Sequence, residues 1–224
     1  LRFTETYTRL LNEDCEACHR GQPRSPMIQE FLNAILAHHP DVVGFSMIFS
    51  NQLPVGALLG KLLRKEYGLR VLFGGSCFAD SAEHFLRWYP ESADLVVAGE
   101  GEDALKQYLI DPARPERVPG AVYFEPGGAV RKVEKAYSKS IDYYGKPDFS
   151  DTNPKDYFSP EPVVPLLLSR GCYWRRCTFC VHYRSAGLTY RMHSMDFTIE
   201  MLRGFVAGGI RHLAFIDEMS SPPH

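Results

Sequence analysis

The sequence has no long apolar run. No stretch approaches the roughly 20 residues that a helix needs to cross a bilayer, so no helical span is expected. It also lacks a strong charge of either sign. Its 25 Lys and Arg against 27 Asp and Glu leave a net charge of −2, with a sequence pI near 6.5. Neither a nucleic acid nor a membrane surface is therefore expected as a partner. No repeat, low-complexity tract or apolar leader is visible. Cysteine is scarce, six in 224 residues, too few and too unevenly spaced for a disulfide scaffold. That usage suits a reducing compartment, and a cytoplasmic location is expected.

Half of those cysteines lie together. Cys172, Cys177 and Cys180 follow a short apolar run in Leu167-Leu168-Ser169-Arg170-Gly171-Cys172-Tyr173-Trp174-Arg175-Arg176-Cys177-Thr178-Phe179-Cys180, and no cysteine comes after them in the sequence. Three thiolates can hold three irons of a [4Fe-4S] cluster and leave the fourth iron open to another ligand. A fourth thiolate would close the site and make it an electron carrier. Two other readings stand beside this one. Cys172, Cys177 and Cys180 with His182 could make a Cys3His zinc site, since zinc takes four tetrahedral sulfur or nitrogen ligands. The three could also be reduced thiols packed as small apolar groups.

The flanks of this loop read as a βαβ unit. Val163 to Leu168 is apolar enough for a strand buried on both faces. Asp196 is placed to cap a helix carrying Ile199, Leu202, Phe205 and Val206 at helical spacing, which Gly208-Gly209 stops. His212 to Ile216 reads as a second strand, ending at Asp217-Glu218. Such units bind ligands at the carboxyl ends of their strands.

Upstream, strands and helices alternate. Strands are expected at Val42–Phe49, Leu69–Phe73, Leu95–Ala98 and Ala121–Phe124. Helices are expected at Ile28–Ala37, after Pro54 until Gly68, after Ser81, and from Gly99-Glu100-Gly101-Glu102 through Tyr108. The pattern predicts an α/β domain with a doubly wound parallel sheet. Residues 1 to 20 read as a polar helix. The expected division is 1–126 for this domain, 127–162 for a linker marked by Lys146-Pro147-Asp148 and Asn153-Pro154, and 163–224 for the unit that bears the three cysteines.

Glycines gather where these strands end, which is where open α/β sheets bind ligands. Gly99-x-Gly101-x-x-Ala104, with Glu125 after the next strand, nominally satisfies the dinucleotide fingerprint for NAD. Glu100, Glu102 and Asp103 would however crowd carboxylates against a pyrophosphate at a helix amino end. Cys15-x2-Cys18-His19 matches the c-type haem attachment pattern, yet its surroundings are polar and an ordinary helix with two thiols explains it. Cys77, beside Gly74-Gly75, is expected to pack.

Read together, Ser169-Arg170-Gly171, Gly171-Cys172-Tyr173-Trp174 and Cys177-Thr178-Phe179-Cys180 resemble the cluster motif of radical S-adenosylmethionine (SAM) proteins, in particular those with a cobalamin (B12)-binding domain, including C-methyltransferase and peptide-maturase types. Four residues here separate the first two cysteines, where the usual motif has three. The resemblance implies a Rossmann-like cobalamin domain followed by the first βαβ unit of a partial (β/α)6 barrel. It implies that Cys172, Cys177 and Cys180 ligate the cluster, that Phe179 fills the aromatic position before the last ligand, and that Asp217 and Glu218 approach the methionine part of SAM. Ser46, Asn51, Gln52, Gly74, Gly75, Gly99, Glu100 and Gly101 would surround cobalamin, the Gly-Gly pair by letting backbone come close to its nucleotide tail. An Asp-x-His-x-x-Gly cobalt-ligand signature is absent from the sequence, so cobalamin is expected without a protein histidine. The resemblance also implies reductive cleavage of SAM to a 5′-deoxyadenosyl radical, a small-molecule or peptide substrate, and an electron donor such as flavodoxin or ferredoxin. By it the chain is read as a fragment, lacking the first strand of the usual sheet and most of the barrel. As such it is expected to assemble a cluster but to cleave SAM poorly.

Overall fold

Helix starts and stops follow local chemistry in the amino-terminal part. Helix α1 spans Arg2–His19 and places Cys15 in the core. Helix α2 (Pro26–Leu36) opens with Pro26 at its first position and the Ser25 hydroxyl accepting from the Ile28 amide at 3.4 Å, a pairing that satisfies one otherwise orphaned helix amide. Strand β1 (Val42–Ser46) leads through a short 3₁₀ turn at Ser50–Gln52 into α3 (Leu53–Tyr67). Gly68 ends α3 in the left-handed conformation, φ 66°, which costs glycine nothing.

Strand β2 (Arg70–Gly74), helix α4 (Ala82–Trp88), strand β3 (Leu95–Val97), helix α5 (Gly101–Ile110), and strands β4 (Ala121–Phe124) and β5 (Val130–Lys132) complete this part. The structure, a computed structural model, describes residues 2–153, 157–158, 161–180, 184, 186–187 and 189–218; of residues 2–8 only the backbone is described. Pro154, His182 and His224 lie outside them. The chain divides into two compact units, Leu1–Ala136 and Tyr137–His224, so the division falls within the stretch expected to be a linker.

The five strands run in sequence order across the sheet. β1, β2 and β3 are parallel, whereas β4 is antiparallel to β3 and β5 to β4. The sheet is thus mixed, not parallel throughout. The sequence expectation missed β5 because Val130-Arg131-Lys132 is short and charged and carries no apolar alternation. A tight hairpin closes it, with the Glu125 amide donating to Ala129 O at 2.8 Å.

Side chains alternate between the two faces of this sheet, as the strand period of two requires. Val71, Phe73, Val96, Ala98 and Val122 face a core formed with α1, α2, α3 and α4. Leu72, Leu95, Val97, Ala121 and Tyr123 face a second core with Ala104 and Tyr108 of α5. Helices on both faces make the unit doubly wound. Phe73 is the centre of the larger core, its ring 4.9 Å from that of Phe45 and 4.8 Å from that of Phe85. Burying such a ring contributes about 1.5–3 kcal/mol. Asp94 fixes the start of β3: its carboxylate accepts from the Val71 amide at 2.6 Å and from Arg64 at 2.9 Å.

The second unit is built on β6 (Val163–Leu166), β7 (Ser169–Arg170), β8 (Arg191–Met192), helix α6 (Met195–Ala207) and β9 (His212–Phe215). β6 and β9 are parallel and joined through α6, while β7 and β8 form a separate antiparallel pair. Ser194, not Asp196, caps α6, its hydroxyl accepting from the Phe197 amide at 3.3 Å. The buried residue of that helix is Met201, with Ile199 and Val206 exposed. The true core-facing side is thus turned from the one that Ile199 and Val206 suggested. Among the described residues no helix is long and apolar enough to cross a membrane.

Candidate cofactor sites at strand ends and on the cysteine loop

In the first unit the carboxyl ends of the parallel strands are tied together through Met47. Its amide donates to Gly74 O at 2.7 Å, and its carbonyl accepts from the Cys77 amide at 3.1 Å. Gly75 is needed for this contact: a Cβ there would lie 2.4 Å from Met47 O and 2.8 Å from Met47 N, at a φ of +102°. The resemblance assigns the missing side chain of Gly75 to the approach of a cofactor; within the sheet it also has a packing cause. Gly74 differs, because a Cβ would meet only Val97 Cβ at 3.8 Å, an ordinary contact.

Ser46 is exposed at the end of β1, opposite Gly74. Asn51 is exposed in the turn that follows, whereas the Gln52 side-chain oxygen accepts from the Ile48 and Phe49 amides, each at 2.9 Å. Gln52 thereby holds Ile48 and Phe49 outward, both largely exposed. Sequence reasoning missed that pair because they extended an apolar strand run. Gly99 and Glu100 are half-buried at the end of β3, and Gly101 opens α5 with free space around its Cα. A ledge of small residues beside exposed apolar side chains suits a bulky, largely neutral ligand. Glu102 and Asp103 in the first turn of α5 make it a poor seat for a pyrophosphate.

The dinucleotide fingerprint fails on topology as well. β4 pairs antiparallel with β3, Ala121 opposite Val97. Glu125, after Phe124, therefore lies towards the amino end of β3, away from Gly99 and Gly101. The fingerprint needs that acid at the carboxyl end of a parallel neighbour.

In the second unit the pairing of β7 with β8 closes a loop that contains all three cysteines. Cys172 and Cys180 are half-buried and Cys177 is exposed. The Cys180 amide approaches Cys177 O at 3.4 Å, a turn that sets these two residues close along the chain. Arg175 adopts φ +51°, a left-handed conformation unusual for a long side chain; it lies in the four-residue gap between the first two cysteines. Phe179 is 87% exposed. Among the described residues no three His, Cys, Asp or Glu side chains converge on a point where one metal ion could sit. A cubane spreads its three thiolates over three irons, and three accessible soft donors on one loop fit it. Asp217 follows β9, and its carboxylate is bonded to the loop's stem (2.6–3.1 Å). Glu218 is exposed.

The remaining cysteines behave differently. Cys15 is fully buried; burial, with the nearby Asp14 and Cys18, pushes its thiol up to about 11. Burial also raises Cys77. A thiol that ionises near 11 when folded and near 9 when unfolded stabilises the fold below pH 9 and loses that contribution as pH rises towards 11. Cys15 is expected to resist iodoacetamide in the native chain at pH 8 while Cys177 reacts. Mass spectrometry of the alkylated peptides checks this, and rapid native labelling of Cys15 would contradict its placement.

Residues 10–109 match the family model of the B12-binding domain. The hopanoid C-3 methylase of Methylococcus capsulatus is 28% identical over 190 residues, which cover 81% of this chain and 35% of that protein. Residues 1–136 alone cannot supply such a share, so the likeness continues into the second unit. Two solved structures share the fold. One is the cobalamin-dependent SAM radical enzyme OxsB with aqua-cobalamin and SAM bound, with a TM-score of 0.70, 23% identity, and coverage of 85% of this chain and 27% of that one. The other is the radical SAM methyltransferase TsrM from Kitasatospora setae with tryptophan and a SAM analogue, with a TM-score of 0.65, 17% identity, and coverage of 84% and 39%. This chain therefore spans 35%, 27% and 39% of the lengths of these three relatives.

Proposed function

We propose, for a chain that carries a B12-binding domain and resembles B12-binding-domain-containing radical SAM proteins, that it is the cobalamin-binding and cluster-bearing part of a radical SAM enzyme, most simply a C-methyltransferase. The observation that carries this reading is one loop with three thiols, closed by β7 and β8, in the same chain as a match to the B12-binding domain. When bound, the cluster supplies the electron that cleaves SAM, and cobalamin supplies the methyl group. The similarity to the hopanoid C-3 methylase and to the methyltransferase TsrM supports the methyl-transfer part.

Within that reading, Cys172, Cys177 and Cys180 anchor the cluster and leave one iron for SAM. Phe179, between the last two ligands and exposed, would shield the cluster from water, and Glu218, just past β9, would approach the methionine part of SAM. Ser46, Asn51, Gly74, Gly99, Glu100 and Gly101 line the cobalamin ledge, with Ile48 and Phe49 giving an apolar rest for the corrin. A small-molecule or peptide substrate and a flavodoxin or ferredoxin electron donor complete the proposal.

Anaerobic reconstitution with iron and sulfide, followed by cobalamin loading and gel filtration, tests it. The expected result is about four iron and four sulfide per chain and a co-eluting cobalamin spectrum. One zinc per chain with no sulfide would make the second unit a zinc-stabilised binding module instead.

A further inference from the structure

The parallel ladder of β6 and β9 ends at Leu166 opposite Phe215, with the Ile216 amide donating to Leu166 O at 2.9 Å. Past that point the chain turns into β7 and takes β8 as its antiparallel partner. The amides of Leu168 and Ser169 are thereby drawn away from the carbonyls of β9, and a buried amide needs an acceptor. Asp217 provides one. Its Oδ1 accepts from the Leu168 amide at 2.9 Å, from the Ser169 amide at 2.6 Å and from the Ser169 hydroxyl at 2.6 Å, and its Oδ2 lies 3.1 Å from the Leu168 amide. Ser169 is 4% exposed, so water is a poor substitute. The carbonyl of Leu168 accepts from the His193 amide at 2.9 Å, which joins the β8 side of the loop to the same point. Two residues beyond Ser169, Gly171 adopts φ +85° and sits so near the returning chain that a Cβ would lie 3.1 Å from Thr189 O.

We propose that Asp217 is the positioning residue of the cysteine loop. It fixes the angle at which β7 leaves β6, and with it the place from which Cys172 starts. It does so from the stem of the loop and is not a ligand of SAM. Hydrogen bonds to a charged acceptor are stronger than neutral ones, so one carboxylate can hold the junction where two different sheets diverge. The cofactor part of this inference rests on the cluster reading given above; the clamp itself does not.

The test uses the full chain as Asp217→Ala, Asp217→Asn and Ser169→Ala. Amide exchange at Leu168 and Ser169, read by NMR without any cofactor, should accelerate about tenfold or more in Asp217→Ala. Asp217→Asn keeps one acceptor oxygen and should fall between, and it carries the exchange test alone if the alanine variant unfolds. After reconstitution, Asp217→Ala should hold less iron and show a displaced EPR signal from the reduced cluster, partly restored in Asp217→Asn. Its remaining cluster-loaded protein should bind SAM with nearly the parent dissociation constant. Ser169→Ala should follow the same direction more weakly. Unchanged exchange at both amides, or an unaltered EPR signal with SAM affinity lost, would overturn the proposal and make Asp217 a ligand. If the parent chain takes up no cluster, the cluster reading fails, while the exchange measurement still decides the clamp.

Discussion

Changing Cys177 to alanine is expected to abolish iron and sulfide incorporation, and the same holds for Cys172→Ala and Cys180→Ala. A cubane held by three thiolates already has one open iron; a second open iron leaves two corners to water and the cluster is lost. Cys177 is the clearest of the three to test, because it is exposed and its removal leaves no cavity in a core. Cys15→Ala, Cys18→Ala and Cys77→Ala should keep full cluster content. Cys15 lies in the core of the other compact unit, and Cys18 and Cys77 pack against that core, so none of them shares the loop of the three. Cys15→Ala should instead lower thermal stability modestly, as loss of a small buried group does. The measurement is iron and acid-labile sulfide per chain beside the visible spectrum. Full cluster content in Cys177→Ala would sink the ligand assignment.

The sequence disclosed the elements whose chemistry is local. Pro54 and Gly68 bounded α3, the glycine taking the left-handed stop that the pattern demanded, and the alternation of strands and helices gave an α/β sheet with helices on both faces. The cysteine spacing gave the loop. What stayed hidden depended on partners far along the chain. The antiparallel turn of β4 cannot be read from Ala121-Val122-Tyr123-Phe124, which is equally apolar in either direction, and its direction removes Glu125 from the dinucleotide pattern. The resemblance places Asp217 near SAM, but the two amides that it satisfies carry no mark in the sequence; they are left without strand partners only where β7 diverges from β9. Ser194 and Asp196 are both good helix caps by type, and the hydroxyl won by its position one residue before the helix.

Gly75→Val is expected to unfold the first unit rather than exclude cobalamin selectively. A Cβ at that position would press to 2.4 Å from Met47 O, a backbone atom held by its own hydrogen bonds, and φ +102° adds strain for any side chain. Steric conflict with backbone combined with a forbidden dihedral belongs to the rare substitutions that cost more than about 4 kcal/mol, comparable to the whole stability of a small domain. The informative position is its neighbour. Gly74→Ala meets only Val97 Cβ at 3.8 Å and has no positive φ, so the sheet should keep its melting temperature within a few degrees. If cobalamin passes over the ends of β1 and β2, that one methyl occupies its path and affinity should fall about tenfold or more, since a well-packed interface tolerates little extra volume. Thermal unfolding of both variants separates the two effects, and titration of cobalamin into Gly74→Ala reads the second. A folded Gly75→Val chain would contradict the packing described for Met47. Parent-like cobalamin affinity in Gly74→Ala would move the cofactor away from this ledge.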